Sequence, residues 1–396
     1  MGNTIRRLLI ISLALTSVFM ASAQVPADYQ ARYANLTGKS GATLVSELES
    51  IVAIGYDNVG YDGLYEAYRQ TDMDENGYLL DMYSTCQFTL NNKCGNYNSV
   101  CDCFNREHSL PKSWWGGGKN SCYSDLFHLV PTDGKVNNQR AAHPFGECAN
   151  GGSLPGGHAL GRLGSSTLAG YTNIGTVFEP ADQYKGDFAR GYLGMLIHFG
   201  NSVAFTSAEG SKTFSNSGRT LTAANHFGLT AYGVALLMKW NRQDPVSPKE
   251  VKRNTGMQAT QGNRNPFIDC PILAEYIWGD KVGESVLYQD LVNCGCISDS
   301  TYSAIGDVVA AEPTDYVSRL ASVSLSRESN SYELTCLPPG TRILFFSAQG
   351  QLLHSTRTEL QSYTFSRESL GESSPNGLLL ILLAIDSETR TIKLAL

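Results

Sequence analysis

The 396-residue chain offers no apolar run suited to crossing a bilayer, which takes about 20 residues in helical form. The run from Leu8 to Met20 is too short. It follows Arg6 and Arg7 and ends in Ala21-Ser22-Ala23, a pattern that predicts an export signal over residues 1–23 and a mature chain starting near Gln24. Arg6 also breaks the N-myristoylation pattern that a Met1-Gly2 start would invite. Neither membrane insertion nor a lipid anchor is expected. Excess positive charge is missing too: the net charge is −7, which excludes a uniformly basic polyanion binder and leaves only local clusters to consider. Charged residues make up just 17%, against 42% hydrophobic, so the chain is a folded one. There is no H-E-x-x-H pair and no C-x2-C spacing, which removes the usual zinc ligand sets.

Cysteine, by contrast, is plentiful. All ten (86, 94, 101, 103, 122, 148, 270, 294, 296 and 336) lie beyond the signal, and export places them in an oxidising compartment. Disulfides are expected, with a connectivity that spacing does not reveal. The remaining ~370 residues can hold one large domain and one small one. We place these at 24–298 and 327–396, joined by a Ser/Thr-rich linker over 299–326.

Leu44, Leu48, Ile51 and Val52 recur at helical spacing between residues 40 and 70, and Tyr78 to Ser84 reads as a short strand. Helices are also expected around Phe188 to Phe199 and over Leu229 to Trp240. Ser247-Pro248-Lys249-Glu250 combines an N-cap hydroxyl, Pro at the first helical position and Glu at the third, so a helix should start at Pro248. From Lys239 to Arg264 six basic residues face two acidic ones, a local +4, with Lys249, Lys252 and Arg253 on one helical face. That face is either a solvated stripe or a phosphate-facing one. Strand-like runs at Arg342 to Ser347, Gln351 to His354, Gly377 to Ile385 and Thr391 to Leu396 point to a small β-sandwich.

Reactive side chains concentrate between Asn105 and Glu147. The segments are Asn105-Arg106-Glu107-His108, Pro111-Lys112-Ser113-Trp114, Ser124-Asp125-Leu126-Phe127-His128-Leu129-Val130-Pro131 and Asp133-Gly134-Lys135-Val136-Asn137-Asn138-Gln139-Arg140. Together they supply a general base, hard oxygen ligands for Mg²⁺ and cations for phosphate. On a strand, Glu107 and His108 would face opposite ways, so their convergence on one ion would require a local twist or bulge.

These segments resemble the bacterial endonuclease I family, periplasmic or secreted nucleases of the ββα-metal (His-Me finger) fold. The likeness continues through Phe178-Glu179-Pro180, Lys185-Gly186-Asp187-x-Ala189-Arg190, Trp240, Asp244-Pro245-Val246-Ser247, Glu250, Arg253-Asn254, Gln261 to Asp269 and Ile277-Trp278-Gly279. It spans roughly residues 40 to 290. The resemblance implies an α+β protein: a mainly helical nuclease domain around a ββα-metal motif, followed by the small β-sandwich-like domain. It implies a secreted, sequence-non-specific endonuclease that hydrolyses DNA, with RNA as a second substrate, to 5′-phosphate ends. His108 would be the general base, and Glu107 and Asn137 would hold one Mg²⁺, with Mn²⁺ or Ca²⁺ able to stand in. The histidine ring would be held by a backbone carbonyl near Tyr123. Arg106, Asp125, His128, Arg140, Lys249, Arg253 and Arg264 are candidates for supporting the site or binding substrate. Asp187 and Arg190, three apart, would pair with one another. Some relatives carry a transition-state arginine in the insertion that here is only Trp115 to Lys119, which leaves Lys119 or Arg140 for that role.

The tail from Arg327 to Leu396 resembles the C-terminal sorting domain of the type IX secretion system, although the usual Tyr-Pro-Asn-Pro opening is missing. That machinery would be its partner, and the exported protein would be a monomer. Two other readings compete with nuclease action. One is an inactive surface module that uses the basic helix from residue 248 to hold DNA; the other is a zinc hydrolase, for which His108 and His128 lack further ligands.

Overall fold

The computed structural model describes residues 25–148, 152–154, 157–215, 221–298, 323–328, 331–335, 337–347, 352–366, 368–370, 378–385 and 388–395. The export signal, most of the linker and Cys336 lie outside them. The chain divides into two compact units.

The first unit opens with helices α1 (Ala27–Ala34), α2 (Gly41–Ala53) and α3 (Gly60–Thr71). Leu44, Leu48, Ile51 and Val52 are all buried on one face of α2, each contributing about 1.5–3 kcal/mol by leaving water. Tyr78 to Ser84 is not the strand that its composition predicts. Only Leu79 and Ser84 make isolated bridges there, and Asp81 bends the chain by accepting from Tyr83 N at 2.7 Å and from the Ser84 hydroxyl. Two strands and a short helix follow, β1 (Phe104–His108), β2 (Leu129–Asp133) and α4 (Gly134–Arg140), then the three-stranded antiparallel sheet of β3 (Gly152–Ser153), β4 (Arg162–Ser165) and β5 (Thr176–Glu179).

The rest of the unit is helical: α5 (Lys185–Phe199), α6 (Gly210–Thr213), α7 (Ala231–Gln243), α8 (Pro248–Gln261), α9 (Pro266–Asp269), α10 (Leu273–Trp278) and α11 (Tyr288–Asn293). Helix α5 is buried on almost every side. Its glycines permit this: a Cβ at Gly191 would sit 2.7 Å from the Phe127 carbonyl oxygen, and one at Gly194 would sit 2.7 Å from the Asn265 side chain. Helix α8 starts as its sequence predicts, with Ser247 and Glu250 closing a capping box.

The second unit holds two antiparallel sheets. Strands β6 (Ser324–Glu328), β7 (Ser331–Thr335) and β10 (Ser362–Ser366) form one; β8 (Thr341–Ser347), β9 (Leu352–Thr358), β11 (Leu378–Ile385) and β12 (Glu388–Ala395) form the other. Tyr332 and Phe365 from the first sheet share a core with Ile343, Phe345, Ile381 and Leu383 from the second. Inner faces packed in this way define a sandwich. Strand β6 begins three residues before the expected domain start. Among the described residues no helix of the chain is long and apolar enough to cross a membrane.

Candidate active site

Strands β1 and β2 pair in regular antiparallel register, Glu107 opposite Val130 and His108 opposite Leu129, with no bulge. Helix α4 follows β2 without a loop, because Asp133 caps it by accepting from Lys135 N at 2.8 Å and Val136 N at 2.9 Å. Two disulfides brace this corner. Cys86–Cys101 and Cys94–Cys103 staple the segment that enters β1, and Cys101 N donates to the other oxygen of Asp133 at 2.7 Å. Gly134 lies so close to Cys94 Sγ that a Cβ would meet it at 2.4 Å, so only glycine can start the helix there.

Glu107, His108 and Asn137 all border one open cleft of about 330 Å³, together with Tyr61, Arg106 and Lys112. The two strand neighbours are anchored differently. Glu107 Oε1 accepts from the Tyr83 hydroxyl at 3.0 Å and from Arg140 Nη1 at 2.9 Å. Burial pushes its carboxyl up, and the Arg140 guanidinium and the Tyr83 hydroxyl pull it back. His108 Nε2 lies 2.9 Å from the Tyr123 carbonyl, the contact that the resemblance implies. A carbonyl can only accept, so Nε2 carries the proton and Nδ1 keeps a lone pair. Its pKa falls from 6.5 to about 3, first through burial and then through nearby His128, Lys112 and Arg106, against the pull of the Tyr123 carbonyl. The ring is therefore neutral at physiological pH, and Nδ1 has no protein partner among the described residues. Asn137, half-buried on α4, likewise has an uncommitted side-chain amide.

The cleft thus sets a neutral imidazole beside a carboxylate and an amide side chain. The family model Endonuclease I matches residues 40–272. The chain belongs to the endonuclease I family. It is 32% identical over 259 residues to the extracellular ribonuclease of Bacillus amyloliquefaciens, covering 64% of this chain and 79% of that protein. It is 31% identical over 257 residues to the extracellular ribonuclease of Bacillus subtilis (strain 168), with 64% and 80% covered. Against the extracellular deoxyribonuclease of Aeromonas hydrophila it is 28% identical over 171 residues, with 41% and 60% covered.

The other residues expected at this endonuclease I site divide into two groups. Arg106 borders the cleft, with Nη1 donating to the Tyr61 carbonyl at 2.6 Å and to Asp62 at 3.1 Å, and its guanidinium 3.6 Å from the Tyr61 ring centroid. His128 is a buried prop whose Nε2 donates to the Cys122 carbonyl at 2.8 Å. Asp125 is fully buried, accepts from Phe127 N at 2.7 Å and lies 3.2 Å from His198 Nδ1, so it stands away from the cleft. Arg140 is fully buried and donates to Glu107 and to the carbonyls of His108 and Ser109 at 3.1 and 2.7 Å, which removes it as a phosphate contact.

Arg253 and Arg264 are turned inward as well, in supporting positions. Arg253 pairs with Asp72 and donates to the Leu126 and Leu129 carbonyls at 2.7 and 2.6 Å. Arg264 makes a fork with both oxygens of Asp269 at 2.8 and 2.6 Å. Lys249 pairs with Asp187. Arg190 does not join Asp187 as spacing suggests; it grips both oxygens of Glu250 at 2.6 Å. Tyr83, Tyr61 and Lys112 were not singled out by residue type. Tyr83 reaches Glu107 from 24 residues away, which no local pattern marks, and Lys112 stood only as one member of the Pro111 to Trp114 segment.

Proposed function

We propose that this protein is a secreted endonuclease that hydrolyses phosphodiester bonds of DNA and RNA, with His108 as general base and one Mg²⁺ held by Glu107 and Asn137. The observation that carries the reading is the neutral His108 ring, tied by Nε2 to Tyr123, beside an uncommitted Asn137 amide and an anchored Glu107 carboxylate on the wall of the same cleft. Two hard oxygen donors suit Mg²⁺, which keeps most of its water shell and needs few protein ligands. Glu107 and Asn137 would hold the ion, and its charge would offset the phosphate and the departing 3′ oxygen.

His108 Nδ1 takes a proton from the attacking water while Nε2–H stays on the Tyr123 carbonyl and fixes the ring's orientation. Attack on phosphorus breaks the P–O3′ bond, leaving the phosphate on the 5′ end while the departing 3′ oxygen takes a proton from solvent water. Arg140 and Tyr83 hold Glu107 in place, and His128 supports the ring from behind. Extracellular relatives of both ribonuclease and deoxyribonuclease description support activity on both polymers and an exported location. The sandwich unit, by its likeness to type IX sorting domains, would serve export past the outer membrane. The test is degradation of plasmid and of RNA by the purified mature protein with Mg²⁺ and with a chelator. Cleavage that persists undiminished in chelator would refute the metal assignment, and no cleavage of either polymer would refute the activity.

A further inference from the structure

A phosphoryl transfer at this cleft needs a positive group to meet the charge that builds on the phosphate. Of the arginines and lysines near the site, most are already committed. Arg140 is buried behind Glu107. Arg106 spends Nη1 on Tyr61 and Asp62, and its guanidinium also lies 4.2 Å from the Tyr65 ring. Lys119 is on the exposed Gly-rich turn, 6.0 Å from the Tyr123 ring, and does not border the cleft.

Lys112 differs from all three. It borders the cleft with His108, Glu107 and Asn137, it is exposed, and no acidic partner lies within ion-pair distance among the described residues. The backbone that carries it is pinned. Trp114 N donates to the Pro111 carbonyl at 2.8 Å, Gly117 N to the Lys112 carbonyl at 2.9 Å, and the buried Trp114 ring fixes the turn through Nε1 on the Ala142 carbonyl at 3.1 Å. An exposed, unpaired ammonium on a pinned turn at the cleft wall can reach an anion bound in the cleft.

We propose that Lys112 is the catalytic cation of this site, its ammonium contacting the scissile phosphate and offsetting the charge that grows as the P–O3′ bond breaks. This rests on the nuclease reading above. The test is steady-state cleavage of a short oligonucleotide by the full mature chain with Mg²⁺, comparing the wild type with Lys112→Ala, Lys112→Gln, Lys112→Arg, Lys119→Ala and His108→Ala.

Both neutral Lys112 variants should lose about 10- to 100-fold in kcat with little change in KM, because the contact strengthens toward the transition state. Lys112→Arg should keep most of the rate, since it keeps the charge. Lys119→Ala should stay close to wild type. Near-normal kcat in Lys112→Gln, a loss confined to KM, or a larger kcat loss in Lys119→Ala would overturn the assignment. Failure of the underlying reading has a different signature, since the wild type would then not cleave at all or His108→Ala would stay fully active, whatever the Lys112 variants do.

Discussion

Two regions of the first unit look equally suited to nucleic acid when read as residue types, and the structure treats them oppositely. The segment from Lys239 to Arg264 carries a local +4, yet each of its cations has a protein partner, and Arg253 and Arg264 are buried. Lys239 meets Glu147, Arg242 meets Glu275 and Asp280, Lys249 meets Asp187, Lys252 donates to the Met73 carbonyl, Arg253 meets Asp72 and Arg264 meets Asp269. The cleft has fewer cations but leaves its polar groups open: His108 Nδ1, the Asn137 amide and the Lys112 ammonium have no protein partner among the described residues. Charge that is paired holds the fold, and charge that is unpaired is available to a substrate. On α8, Arg253 is buried and Lys249 is paired with Asp187, so only Lys252 remains exposed to meet a polyanion.

The contrast can be broken from the structural side first, where the largest effect is expected. Arg253→Ala leaves Asp72 buried without its partner and two carbonyls without a donor, so unfolding in denaturant should show a loss of about 3–5 kcal/mol. The fraction that remains folded should cleave at the wild-type rate, because Arg253 does not border the cleft. A variant of normal stability but impaired kcat would reverse the assignment of that region. Next come the disulfides bracing β1. Replacing Cys94 and Cys103 by Ala should cost about 2–5 kcal/mol in the same assay. A thiol count on the unfolded, unreduced protein should find six of the ten cysteines protected by the three described bridges, and six or more free thiols would contradict them.

A smaller effect is expected from pH. Burial pushes the pKa of His128 down from 6.5 to about 4, so the folded ring is neutral where the unfolded one is charged. The stability is fully present above pH 6.5 and is lost as pH falls toward 4, because the unfolded chain then binds a proton that the folded chain does not. Thermal unfolding of the wild type across this range should show the loss, and His128→Gln should flatten it. An unchanged acid slope in that variant would mean that other groups carry the titration. Smallest of all, Lys249→Ala removes a partly exposed pair and should change stability by about 1 kcal/mol or less, with no change in kcat.

Much of the scaffold was legible because its signals are local. The capping box at Ser247 and Glu250 and the helical spacing in α2 and α5 depend on neighbours within a turn or two, and the structure reproduces them. Signals that depend on distant partners were not legible. The inward turn of Arg253 depends on Asp72, 181 residues away in the chain, and the pairing of Arg190 with Glu250 spans 60. The polar strands β6, β7 and β10 went unread because Ser and Thr on half-exposed strands resemble linker composition. At the site, the motif pointed to Glu107, His108 and Asn137, which do border one cleft. How the first two do so without a bulge was hidden, since it depends on separate anchors, Tyr83 and Arg140 for one and Tyr123 for the other.

The most direct test separates the base from the proposed metal ligands. Initial rates of plasmid cleavage would be measured against Mg²⁺ concentration for wild type, His108→Ala and Asn137→Ala. The account expects His108→Ala to lose about 10²- to 10⁴-fold in kcat at every Mg²⁺ concentration, because the missing group moves a proton. It expects Asn137→Ala to need more Mg²⁺ and to recover part of its rate when Mg²⁺ is raised, because the missing group is an oxygen donor. Near-normal rates in His108→Ala, or recovery of that variant by Mg²⁺ alone, would contradict the account.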